Sequence, residues 1–257
     1  MSEKPILFTA EMILAIREGR KTVTRRVIDL PDDVIWDFTG VMKDGSYRFS
    51  HQGDKDLIDG LCFRKSRYQV GDLPWVKETF LIMDWANRDR VESDHSDIHI
   101  QYKASDSNYR PDSPRYIGHS VKKRCPEFIN DAVRIYLREV KKSKHAWRLP
   151  WISSRFMPKW AARTWLEVVS VRPERLQDIT EEDCLSEGIT RSVGNSGVGG
   201  HMHHDWFYKA FPEKGGGFAS AKEAYECLWD SINAKRGYPW EGNWWVWRYE
   251  FKIINNK

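Results

Sequence analysis

Apolar positions along the chain fall into short runs divided by polar punctuation. "KPILF" has the length and bounds of a short strand. "TAEMILAIREG" changes to helical spacing: Met12, Ile13 and Ile16 share one face, Thr9 stands as N-cap, Glu11 lies in the first turn and Gly19 is placed to end the helix. "KTVTRRVI" then alternates polar and apolar residues as a strand does. In "YQVGDLPWVKETFLI" a Gly71-Asp72 turn feeds a second strand-like run, and "AVRIYLREV" alternates with Val133, Ile135 and Leu137 on one side. "RTWLEVVSVRPERL" predicts another strand. It runs into "DITEEDCLSEGI", a short helix with Thr180 as N-cap, Glu181 and Glu182 in its first turn and Gly188 at its end.

The firmest helix is "SAKEAYECLWDSINAKRG", with a Ser220/Glu223 capping box and with Tyr225, Leu228, Trp229 and Ile232 at i, i+3, i+4, i+7. The closing "WWVWRYEFKII" places Trp245, Trp247, Tyr249, Phe251 and Ile253 on one face and Arg248, Glu250 and Lys252 on the other, a half-buried strand. Two stretches interrupt this order: 84–130 is polar and rich in Asp, Ser, Arg and Pro, and 191–219 is rich in glycine and histidine and reads as a mobile loop. Short strands separated by single helices, without regular βαβ alternation, predict an α+β fold, a small mixed barrel carrying helices. One domain over 1–257 is expected, with insertions at about 84–130 and 191–219.

Composition narrows the function only modestly. A net charge of +4, with 41 basic and 37 acidic residues, is too mild for a dedicated nucleic-acid arm. Thirteen tryptophans are a heavy load; strand alternation assigns many to packing, although "WEGNWWVW" could stack bases. Cysteines at 62, 125, 184 and 227 lack C-x-x-C spacing and suit reduced thiols in a cytoplasm. "MSEKPILFTAEM" has no secretory pattern, and no run approaches the ~18 apolar residues of a membrane span. A cytoplasmic protein without a membrane partner is expected.

Three stretches tempt a chemical reading. "HMHH" (His201, Met202, His203, His204) invites a metal, but a glycine-rich loop offers no fixed geometry, so a solvated histidine cluster and no metal is the expectation. "VKKRC" and "VKKSKH" are basic runs of the size common on solvated surfaces. "EGRKTVTRR" is either a helix C-cap followed by basic residues that counter the helix dipole, or a reactive lysine beside a hydroxyl.

Gly19, Lys21, Thr24 and Arg26 stand as G-x-K-x-x-T-x-R. This resembles the signature of the ASCH superfamily, small β-barrels related to PUA domains. Supporting context includes the Gly71-Asp72 turn before "WVKETF", "RLQDITEEDCLSEGI", the last strand, and the "MP-W-A-R" stretch of longer prophage-type members at Met157, Pro158, Trp160, Ala161 and Arg163. The resemblance implies a small PUA-like barrel with flanking helices, and its amidohydrolase branch implies deacylation of N4-acetylcytidine. Carried onto this chain, the implied catalytic set is Lys21, Thr24 and Glu187, and the matched stretches supply Arg26, Phe8, Trp75 and Arg163 as expected substrate-binding residues.

The residues suit that chemistry. Thr24 offers a hydroxyl, and Lys21 beside Arg20, Arg25 and Arg26 would have its pKa depressed by like charge and burial, as a base requires. Glu187 falls in the last turn of its helix, where the dipole disfavours an anion by ~0.3–1 kcal/mol; it either pairs with a cation, keeps a proton, or is an ordinary exposed surface glutamate. Residues 21 and 24 of a regular strand point to opposite faces; both can serve one cleft only if the chain is still turning at Lys21 or bulges near Thr22. The expected function is therefore an amidohydrolase for N4-acylated cytosine bases or nucleosides, without cofactor. The alternative is a noncatalytic RNA- or nucleotide-binding module.

Overall fold

The computed structural model describes residues 1–31, 35–51, 60–82, 97–105, 121–124, 151–198, 201–210 and 217–254. The strand expected at "AVRIYLREV" lies outside them. Contacts divide the chain into two compact units, one of residues 1–2, 15–73 and 166–254, the other of residues 3–14, 74–165 and 255–257.

In chain order the elements are β1 (Pro5–Leu7), α1 (Ala10–Arg17), β2 (Val23–Val27), β3 (Trp36–Val41), β4 (Tyr47–His51), β5 (Leu61–Arg64), β6 (Trp75–Lys77), β7 (Phe80–Ile82), β8 (Asp97–Tyr102), β9 (Val121–Arg124), β10 (Trp165–Arg175), α2 (Glu181–Ser186), β11 (Thr190–Val198), β12 (His201–Lys209), α3 (Ala221–Asn233) and β13 (Trp245–Ile254). The largest sheet runs β1-β6-β10-β13-β2; β1 pairs β6 in parallel, and β13 pairs β2 antiparallel.

The α+β character stands, and the barrel does not. Closure would require the end strands β1 and β2 to hydrogen-bond, whereas each has one neighbour in an open sheet. The other sheets, β3-β4-β5, β7-β8-β9 and β11-β12, are also open among the described residues. Strand periodicity counts strands but does not say which non-local edges meet.

Helix α1 forms where expected: the Met12 amide donates to the Thr9 hydroxyl, and Gly19 takes φ +74°, the left-handed conformation that stops the helix. Met12, Ile13 and Ile16 are buried, each burial being worth roughly 1.5–3 kcal/mol. In the first unit, Trp245 and Trp247 of β13 pack edge-on against Phe49 and Tyr47, with ring centroids 5.5 and 4.6 Å apart. Helix α3 lays Tyr225, Leu228 and Trp229 into the same unit's core; the Glu223 amide donates to the Ser220 hydroxyl, while the Glu223 carboxylate accepts from the Ala219 amide. In the second unit, Phe80, Ile100, Tyr102 and Ala161 are inaccessible to solvent.

Two expectations about faces and loops change. Arg248 is buried, so β13 is covered on both sides over Val246–Tyr249 rather than half-exposed. The glycine- and histidine-rich segment is not an irregular loop: β11 and β12 pair antiparallel from Thr190↔Lys209 to Val198↔His201, and His201–His204 belong to β12. Among the described residues no helix is long and apolar enough to cross a membrane.

Candidate active site

The site in the first unit is built around the C-terminal end of α2. Thr180 caps the helix start by accepting from the Asp183 amide, and Gly188, at φ +104°, turns the chain away. The last carbonyls of this six-residue helix need donors. The Gly188 and Ile189 amides serve the carbonyls of Leu185 and Cys184, and the Thr22 amide, 2.9 Å away, serves that of Ser186. Lys21 completes the set, its Nζ donating to the Glu187 carbonyl at 2.9 Å. A cation at this end also opposes the helix dipole.

Lys21 is not in a strand. Its amide and that of Arg20 both donate to the Ala15 carbonyl, so the chain is still turning as it leaves α1. Lys21, 1 % exposed, reaches into the core and its ammonium donates to the Val23 carbonyl at 2.8 Å, to the Glu187 carbonyl, and to Glu187 Oε2 as an ion pair. Burial pushes the Lys21 pKa below the ordinary lysine value; Glu187 opposes that shift, and Arg26 and Arg25 add to it. Arg20 takes no such part, because it pairs with Glu18 at the surface.

Arg25 supplies the second layer. Its Nε donates to Glu174 Oε1 at 2.6 Å, Nη2 to Asp183 Oδ2 at 2.6 Å, and Nη1 to Glu187 Oε1 at 3.3 Å. Burial alone would lower its pKa, but Glu187, Glu174 and Asp183 hold it above the usual arginine value. Opposite it across the β2–β13 ladder stands Arg248, whose Nη2 donates to Asp183 Oδ1 at 2.8 Å. Two arginines in register would repel; Asp183 bridges them. The Tyr225 hydroxyl lies 3.4 Å from Glu187 Oε1, and burial followed by Glu187's charge raises its pKa well above the ordinary phenol value.

Thr24 is buried on β2, opposite Tyr249. Among the described residues its hydroxyl is not hydrogen-bonded to Lys21 or Glu187. Arg26, opposite Trp247, is half-buried, and burial lowers its pKa. Thus Lys21 and Glu187 meet, while Thr24 and Arg26 share the strand next to them. Arg25, absent from the expected set, bonds three carboxylates of the cluster.

Phe8, Trp75 and Arg163 belong to the second unit. Phe8 and Trp75 are buried, with the Lys77 ammonium 5.5 Å from the Trp75 ring centre. The Arg163 guanidinium is 4.1 Å from the Tyr102 ring centre and donates to Glu78 at 2.7–3.2 Å. Glu78 is fully buried, so this pair reads as an internal brace. Glu181 accepts from the Ala221 amide at the start of α3. Among the described residues no group of three or more His, Cys, Asp or Glu could hold a metal ion, and the side chains of His201–His204 lie outside the description.

No protein-family model, curated protein or solved structure matches this chain. The assignment to the ASCH superfamily and its PUA-like relatives, made on a four-position signature and its context, is therefore corrected. No match supports it, and the open sheets lack the barrel it implies. Such a signature also recurs for purely local reasons, since glycine ends a helix and basic residues follow it.

Proposed function

We propose that this chain is an amidohydrolase in which Thr24 attacks an acyl carbon while Lys21 and Glu187 move the protons. The observation that carries the reading is the buried Lys21–Glu187 pair, 166 residues apart in sequence, beside the strand that bears Thr24. A desolvated lysine whose pKa burial lowers, held against a buried carboxylate, is a mark of proton-transfer sites. Transfer of a proton from the Lys21 ammonium to Glu187 leaves Lys21 neutral; the Thr24 oxygen then bonds to the acyl carbon and its proton passes to Lys21. Cleavage of the C–N bond returns a proton to the leaving amine. Water then hydrolyses the threonyl ester, releasing the acid and restoring the hydroxyl. Lys21 already faces three acceptors, so this route requires the Thr24 hydroxyl to take over one of those positions when substrate binds.

The competing reading, a noncatalytic RNA- or nucleotide-binding module, gains less support. The charges of Lys21 and Arg25 are met by carboxylates rather than presented to phosphate. The substrates to try first carry an acyl group on the exocyclic amine of cytosine. Incubation with N4-benzoylcytosine and an N4-acylated cytidine, followed by ultraviolet absorbance, should show deacylation. Thr24→Val should abolish it, and Glu187→Gln should slow it by about 10²–10⁴-fold. Absence of deacylation by the folded wild-type protein refutes the proposal.

A further inference from the structure

We propose that Arg25 is the positioning residue of the Lys21–Glu187 pair, holding one carboxylate oxygen of Glu187 so that the other is presented to Lys21. The inference deepens the amidohydrolase reading and rests on it for its catalytic consequence; the geometric part stands separately. The terminal torsion of a glutamate is broad and two-fold, so its side chain alone does not decide which oxygen faces a partner. Here the two oxygens have different partners. Oε2 receives Lys21, and Oε1 receives Arg25 Nη1 with the Tyr225 hydroxyl close by.

Arg25 is itself held in place. Its other two nitrogens are bonded to Glu174 on β10 and Asp183 on α2, and the free oxygen of Asp183 is taken by Arg248 on β13. The guanidinium is completely enclosed and spans three carboxylates, one on β10 and two on α2 and its C-cap. A planar fork can do this, and a lysine ammonium on a flexible stem cannot. With Arg25 gone, the Glu187 carboxylate is free to rotate and to offer both oxygens to Lys21, which strengthens that ion pair and makes Lys21 a weaker proton acceptor. Removing a like charge acts in the same direction.

The test uses full-length Arg25→Lys and Arg25→Gln proteins. Nuclear magnetic resonance of the lysine side chains gives the Lys21 titration midpoint without any substrate. The expected result is an upward shift in both variants, larger in Arg25→Gln, which also loses the charge. Deacylation should fall about 100-fold in kcat, the scale of a small misplacement of reacting groups, with KM changed less than threefold. Where Arg25→Gln fails to fold, Arg25→Lys carries the test. An unchanged Lys21 midpoint in a folded Arg25 variant overturns the inference, leaving Arg25 a brace alone. If the wild-type protein deacylates nothing, the amidohydrolase reading falls and the Lys21 midpoint still decides this one.

Discussion

Lys21→Met isolates what the buried ammonium contributes to the fold. Methionine keeps an unbranched apolar stem of similar length and removes the charge and three donors. Breaking a buried ion pair from one side typically costs about 3–5 kcal/mol, because the remaining charge stays desolvated. Here Arg25 Nη1 still reaches Glu187 Oε1 at 3.3 Å, which argues for the lower end. Against that, the carbonyls of Val23 and Glu187 lose a donor. About 3 kcal/mol is the working value at neutral pH, to be read as a shift in urea midpoint at unchanged slope. Glu187→Gln added to Lys21→Met removes the stranded charge and should recover most of the loss, giving a coupling energy of at least about 2 kcal/mol in a double-mutant cycle. A loss below about 1 kcal/mol, the range of exposed pairs, or additive single and double effects, would refute the buried pair.

Two further predictions concern pH. Burial acts to raise the Asp183 pKa, but hydrogen bonding to Arg248 and the charge of Arg25 outweigh it and hold Asp183 below the ordinary carboxylate value. Its stabilisation is therefore present above the unfolded pKa and lost as pH falls through the folded one, so denaturation midpoints should decline below about pH 4, less steeply in Asp183→Asn. Burial raises the Cys184 thiol from 9.0 to about 12; the unfolded chain therefore ionises first, and stability should fall above pH 9. Cys184→Ala should flatten that alkaline decline in thermal melts.

Much of the fold was legible because it depends on local rules. Thr9, Gly19, Thr180, Gly188 and Ser220 mark helix ends by side-chain size and hydrogen-bonding capacity, and each acts where its type predicts. The β3–β4 hairpin went unread although Asp44-Gly45 is a turn signal; Gly45 takes φ +78°, and the Met42 amide donates to the Ser46 carbonyl. Sheet closure was beyond reach, since it depends on edges far apart in sequence. The unfavourable place of Glu187 at a helix end pointed to a cation partner or a retained proton without naming the partner, and the structure supplies Lys21. Arg25 and Arg248 were not, because alternation assigns charged strand residues to solvent. The available signal was the acidic run Glu181-Glu182-Asp183, whose last member neutralises both arginines.

A six-residue helix lies well below the length that persists by itself in water. The peptide bearing Asp183 and Glu187 thus has no helical identity of its own; it acquires one from Lys21 and Arg25, contributed by chain more than 150 residues earlier. Loop closure over that distance must come first, so the nascent chain carries no partial version of the cluster until its later half has emerged. Acidic and basic segments remain apart until the chain through residue 187 can meet residues 21 and 25.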